Sequence, residues 1–262
     1  MTSNSPLPVT RQKGWGCVTA VRTLTILPCP GRDADSVASA LPWFPVVGAL
    51  LGALVAGLCW LVGQWAGWPA GGSVAAVAGS AWLTGGLHLD GLADTVDGWR
   101  GGRTRERRLE IMKDSRVGAM GVIALILVLL LQWVAFTRLI SAGSLVWIVV
   151  PFIAARLAQV QLAVCLPYAR AEGGTAESYV KGARAGHWAV GLVSAIILCG
   201  GLAGVPGLTA VLVAVLLTLG LGRWMRRVFG GVTGDLLGLG GVVVETVLLF
   251  LFAAVCRTPW QP

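Results

Sequence analysis

From Ser36 to Leu89 the chain carries no Asp, Glu, Lys or Arg. A water-soluble domain does not sustain such a stretch, because about a quarter of its residues are charged and much of its exterior faces water. Charged residues make up only 12% of the 262, apolar residues 56%, and mean hydropathy is +0.78. An ordinary soluble enzyme and a disordered chain are both excluded. The reading that remains is an all-α, polytopic transmembrane helix bundle, one integral membrane domain over 1–262. The 37 glycines fit close helix approach in such a bundle.

Runs free of charge place the spans at 41–62, 73–89, 117–137, 145–165 and 237–255. The run 185–222 is longer and is interrupted by glycines and Pro206 near 200–207, so it reads as a hairpin of two short spans. That makes about seven spans. Apart from Arg138, Arg156 and Arg257, every one of the 20 Lys and Arg residues lies on alternate connections. Arg11, Lys13, Arg22 and Arg32 precede the first span, and the rest fall between the second and third, fourth and fifth, and sixth and seventh. The positive-inside rule puts the N-terminus and these loops in the cytoplasm and the C-terminus outside. Segment 1–35 is then a cytoplasmic or interfacial lead-in. Arg22 interrupts the apolar part of Met1–Cys29, so no cleavable signal peptide is expected. The net charge of +8 reflects these loops, anionic lipid and anionic substrate, and no nucleic-acid partner is expected. The six cysteines are scattered, without a Cys-x-x-Cys pair, and read as packing thiols.

Chemistry concentrates in the connection 86–121. Asp90, Asp94 and Asp97 stand at i, i+4, i+7, on one stripe of a helix. Three carboxylates at a membrane edge repel one another unless a cation neutralises them, and Mg²⁺ suits the task, binding one or two carboxylates plus substrate phosphates. Arg100, Arg103, Arg105, Arg107, Arg108, Lys113 and Arg116 follow, with Asp114 among them as a further substrate-binding candidate. Carboxylates with metal, next to guanidiniums, are the chemistry of a diphosphate. Thr104 reads as the N-cap of a short scaffold helix whose Leu109 and Met112 face protein or lipid. His88 lies two residues before the stripe and joins the substrate-binding candidates. Asp235, at the entry to the last span, is within reach of the same metal. Arg156, Gln159 and Gln161 interrupt the fourth run and Glu245 the last. Glu245 lies about 15 Å deeper than Asp235 along a straight helix, so it is expected in a buried pair with Arg156.

The blocks GGLHLDGLADTVDG and RRLEIMKDSRVGAMG closely resemble the signature of the cobalamin synthase family, the adenosylcobinamide-GDP ribazoletransferases. TILPCP…FPVVGALLGAL, Arg156 followed by LPYAR and Glu-Gly-Gly, and VTGDLLG with Glu245 extend the resemblance along nearly the whole chain. Where the family often has a further acidic residue before the final Glu, this chain has Val242. The resemblance implies a Mg²⁺-dependent transferase of the inner membrane. It joins α-ribazole or its 5′-phosphate to adenosylcobinamide-GDP, releases GMP and forms adenosylcobalamin or its 5′-phosphate. In that frame Asp90, Asp94 and Asp235 hold the metal, and Asp97, a further metal candidate, takes the hydroxyl proton. Lys113 and Arg116 clamp phosphate, helped by Arg100 and Arg103. The partners expected are the two substrates, membrane lipid and, with the number open, further copies of the chain. Two rivals are a CDP-alcohol phosphotransferase-like lipid enzyme, for which Asp90-Gly91-Leu92-Ala93 fits but the later aspartates are absent, and a transporter with intramembrane carboxylates, for which no half-length repeat is visible.

Overall fold

A computed structural model of the protein describes residues 14–256. Arg11 and Lys13, two of the basic residues assigned to the N-terminal side, and Arg257 lie outside the described residues. Within them the chain is helical, with two isolated bridges, Trp15 to Asp33 and Tyr168 to Val232. In chain order the helices are α1 (Gly16–Leu24), α2 (Phe44–Leu58), α3 (Pro69–Leu83), α4 (Leu87–Gly101), α5 (Arg105–Ile111), α6 (Ala119–Ser141), α7 (Val146–Cys165), α8 (Glu177–Gly182), α9 (Ala185–Phe229) and α10 (Gly234–Val255). A 3₁₀ turn, Val37–Trp43, leads into α2, and a wider π turn, Cys59–Trp65, extends it. Five stretches are long and apolar enough to cross a membrane: 37–65, α6, α7, α9 and α10.

Helix α7 is the central post. Its sequence is apolar nearly all round, and a helix of that kind must be enclosed by others. Residues 148–163 are all buried. Helix α2 reaches it through Gly48 and Gly52, one turn apart. A methyl on Gly48 would lie 2.5 Å from the Phe152 carbonyl oxygen, and one on Gly52 2.8 Å from Val149 Cα. Helices α6 and α9 form the outside, where Ile126, Leu127, Ile197 and Leu216 are exposed. Trp43 and Trp65, both exposed, bracket the α2 rod about 30 Å apart, the spacing of the two interfaces of a bilayer.

Two glycine positions decide the path of the chain. As one straight rod α9 would be about 68 Å long, twice a bilayer core. Gly204 instead takes φ 58°, ψ −134°, a conformation closed to side-chain-bearing residues, and the Cys199 carbonyl packs against Gly207. The two halves double back onto α7. A methyl on Gly191 would touch Leu157 at 3.8 Å and one on Gly222 would touch Leu162 at 3.5 Å, although Gly191 and Gly222 would be about 46 Å apart on a straight helix. The break expected over 200–207 is thus one residue wide. The second expected span needs correction. It ends at Leu83, not Leu89, because Gly85 (φ 60°) and Gly86 (φ 72°) turn left-handed and restart the chain as α4. Leu87–Leu89 therefore belong to the aspartate helix, and the expected catalytic loop is mostly helix.

Inside the bundle Arg156 Nη1 and Glu245 Oε2 face each other at 3.5 Å, both buried, the partners named from the sequence. His88, Gln132 and Thr84 surround them in a polar cavity of about 20 Å³. Gln132 donates to Thr246 Oγ1 at 3.0 Å. Replacing Glu245 by Ala strands a buried guanidinium, at a cost of about 3–5 kcal/mol. Folded yield by size-exclusion chromatography should collapse for Glu245→Ala and recover in part for the double variant Arg156→Met/Glu245→Leu.

Candidate active site

The site is built where α4 meets the start of α10. A Cβ on Gly91 would sit 2.6 Å from the Asp235 carbonyl oxygen and 2.8 Å from its Cα, so the two backbones touch with no side chain between them. Gly91 lies between Asp90 and Asp94, and its absent side chain brings Asp235 beside both. Thr233 caps α10, its hydroxyl accepting from the Leu236 amide at 3.3 Å, and this orients the first turn that carries Asp235. Asp90 and Asp235 share a cleft wall with His88, whose ring is buried.

Asp97, expected as proton acceptor and metal ligand, is engaged at the start of α6. Its two carboxylate oxygens accept from the backbone amides of Gly118 (2.7 Å) and Gly121 (2.8 Å) at the start of α6. A carboxylate at a helix N-terminus satisfies amides the helix cannot and meets the positive end of its dipole. Gly118 and Gly121 are glycines because a Cβ at either would run into that carboxylate. Asp97 fastens α4 to α6.

The sequence reading missed Arg170. It counted this residue only as a loop charge, although it stands in the LPYAR segment of the resemblance. Val232 donates to the Pro167 carbonyl and Ala169 to the Val232 carbonyl, both at 2.9 Å, which pins 167–169 against the turn before α10. From there Arg170 Nη2 donates to Asp235 Oδ2 at 2.8 Å. Both side chains are largely buried, so the pair is weakly screened.

The arginines after the stripe divide by task. Arg105 donates to the Ala169 carbonyl at 2.8 Å, and Arg108 to those of Gly102 and Val228, so these two tie α5 to its surroundings. Thr104 caps α5, accepting from the Arg107 amide at 3.2 Å, and Met112 is buried against Gly98. Arg100 and Arg103 are exposed, Arg100 lying 5.9 Å from the Trp99 ring centroid. Lys113 is paired with Glu172. Arg116 is paired with Asp114 at 2.6 Å, and this guanidinium holds the Asp114 carboxyl down to about 2. The expected phosphate clamp therefore stands with both its cations already neutralised, at the rim rather than beside the aspartates.

Burial, Asp90, Asp235 and Asp97 together push the Asp94 carboxyl up to about 7, and Arg170 offsets them only in part. Such an excess of negative oxygen donors suits a hard cation. No three acidic, His or Cys side chains among the described residues form a closed cage. One or two of these carboxylates could serve Mg²⁺ only with further oxygens from substrate phosphates. A raised carboxyl favours the fold most below about pH 4 and works against it as pH rises through about 7. Thermal melts in EDTA should therefore fall as pH rises from about 4 to 7 and level off above that. Mg²⁺ should restore the lost stability, and Asp94→Asn should remove both effects.

The comparisons with known proteins point one way. Residues 16–253 match the family model described as cobalamin-5-phosphate synthase. A protein of Chlorobaculum parvum named adenosylcobinamide-GDP ribazoletransferase is 45% identical over 91% of this chain and 94% of its own. Relatives with the same name from Chlorobium chlorochromatii (46% identical over 89% of this chain and 93% of its own) and Desulforamulus reducens (39% over 88% and 93%) agree. No solved structure matches. With a family match across nearly its whole length, the chain belongs to the cobalamin-5-phosphate synthase family.

Proposed function

We propose that this chain works as its relatives are named, as an adenosylcobinamide-GDP ribazoletransferase. Its family makes it a transferase of cobalamin biosynthesis. The observation that carries the reading to named residues is the meeting of Asp90, Asp94 and Asp235 with Arg170 at the edge of a membrane bundle. A lipid enzyme of the CDP-alcohol type and a carboxylate transporter have no comparable support.

The reaction joins an alcohol to a phosphorus. The ribose hydroxyl of α-ribazole, free or as its 5′-phosphate, attacks the cobinamide-side phosphorus of the diphosphate. The new O–P bond forms as the bond to the bridging oxygen breaks, and GMP leaves with that electron pair. Asp90, which opens onto the cleft, takes the hydroxyl proton in place of Asp97. Asp94 and Asp235 are the carboxylates that would hold Mg²⁺. Bound there, the cation would neutralise the diphosphate and stabilise the charge on departing GMP. Arg170, held by Asp235, presents a guanidinium to the same oxygens. The bundle sits in the inner membrane with its N-terminus and the aspartate face in the cytoplasm, as the distribution of basic residues supports.

Purified protein in lipid nanodiscs, given adenosylcobinamide-GDP, α-ribazole and Mg²⁺, should release GMP and form adenosylcobalamin; no GMP above a protein-free control would end this reading. Asp90→Asn and Arg170→Gln should each lower kcat by about a hundredfold or more with folded yield intact. Asp97→Asn should chiefly lower thermal stability. If instead Asp97→Asn abolishes turnover in a fully stable protein, the division between Asp90 and Asp97 is wrong.

A further inference from the structure

Two cavities of similar size and opposite character meet at the Arg170–Asp235 pair. The first, of about 300 Å³, has Asp90 and Asp235 in its wall and is otherwise mainly apolar, with Leu24, Leu41, Phe44 and Leu237 among its lining. The Phe44 and Tyr179 rings stand 6.2 Å apart in that lining, tilted by 51°. Gln159 also faces it, with a buried Oε1 that has no hydrogen-bond partner among the described residues. The second cavity, of about 290 Å³, lies on the other side of Arg170. Arg105, Lys113 and Arg170 contribute positive charge there, and Glu106, Glu110 and Glu172 negative.

Each substrate of the proposed reaction suits only one of these. A diphosphate taken into the apolar cleft would lose its hydration without enough donors to replace it. A corrin ring with its side arms is larger than either cavity and must stay outside. A fused two-ring base is flat and apolar, and it stacks on aromatic faces, as the Phe44–Tyr179 wall allows. Its ribose supplies hydroxyl donors, which the orphaned Gln159 Oε1 and the Asp90 carboxylate can accept. The charged basin offers a guanosine diphosphate the Arg170 guanidinium for its phosphates and the Glu106 carboxylate for the N–H donors on the guanine edge.

Resting on the ribazoletransferase reading above, we propose that the substrates divide at Arg170–Asp235. The base of α-ribazole occupies the apolar cleft with its ribose at Asp90, and the GDP part of adenosylcobinamide-GDP occupies the basin beyond Arg170. The acceptor hydroxyl and the diphosphate then approach the carboxylates from opposite sides, the arrangement an in-line displacement requires. The corrinoid remains on the open face, tethered through its phosphate.

Two obstructions test the division, each at an exposed lining position where bulk is tolerated. Leu87→Trp narrows the cleft, and Ala171→Trp narrows the basin. Binding of α-ribazole alone and of GMP alone is measured on the full chain in nanodiscs, beside steady-state kinetics. Leu87→Trp should weaken α-ribazole binding by about tenfold or more and leave GMP binding within about twofold. Ala171→Trp should do the reverse. A crossed result, or two variants that change neither affinity, overturns the division even where the wild-type protein turns over normally. If α-ribazole and GMP bind and segregate as stated but no GMP is released from adenosylcobinamide-GDP, the division stands and the transferase reading falls.

Discussion

Two helix backbones touch at Gly91 and Asp235, and the site depends on that contact having no side chain in it. Carboxylates on one helix stripe repel, and adding a fourth from another helix makes the repulsion worse. A close backbone approach fixes Asp235 where its charge is least welcome, and Arg170 is the compensation the protein supplies. The remainder of the imbalance is expressed at Asp94. Several other features serve this junction. Thr233 caps the helix that delivers Asp235. The short bridge at 167–169 delivers Arg170. Asp97 is spent on holding α4 against α6. A site of this kind stores unfavourable electrostatics until its ligands arrive, which is how binding energy becomes available to orient reacting groups.

Much of this was legible in the sequence because the signals are local. Charge-free runs mark helices that water cannot cover, and the spacing of Asp90, Asp94 and Asp97 marks one helical stripe. The Arg156–Glu245 pair followed from the cost of leaving either charge alone in the bundle. The features that stayed hidden depend on which helix ends are neighbours. Nothing in the spacing of Asp97 tells that the amides of Gly118 and Gly121 will lie within hydrogen-bond reach of it. Arg170 looked like any basic loop residue until the chain at 167–169 was seen to pair with Val232. Lys113 and Arg116 looked like phosphate ligands because their carboxylate partners are a distant residue, Glu172, and a neighbour counted as a substrate contact, Asp114. The left-handed backbone at Gly85 and Gly86, which redirects the chain from α3 into α4, leaves no trace in the charge pattern.

The buried polar layer also links the site to the bundle. His88 lines both the cleft beside Asp90 and the small cavity around Arg156 and Glu245. The helix turn that carries Asp90 thus borders the cavity around a pair of charges deep between α7 and α10. Bringing such groups together under low dielectric makes each contact strong and each omission costly.

The hairpin at Gly204 has a consequence for traffic across the molecule. A reversal made by a single residue leaves no loop projecting into water, and the connection after α6 is nearly as brief, with α7 beginning at Val146. Almost everything that protrudes among the described residues, including α5, α8 and the segments that carry Arg170 and Asp97, gathers at the opposite end. The molecule is one-faced. The loops and short helices that could meet a substrate lie at that end, while the far end of the described residues presents only short turns.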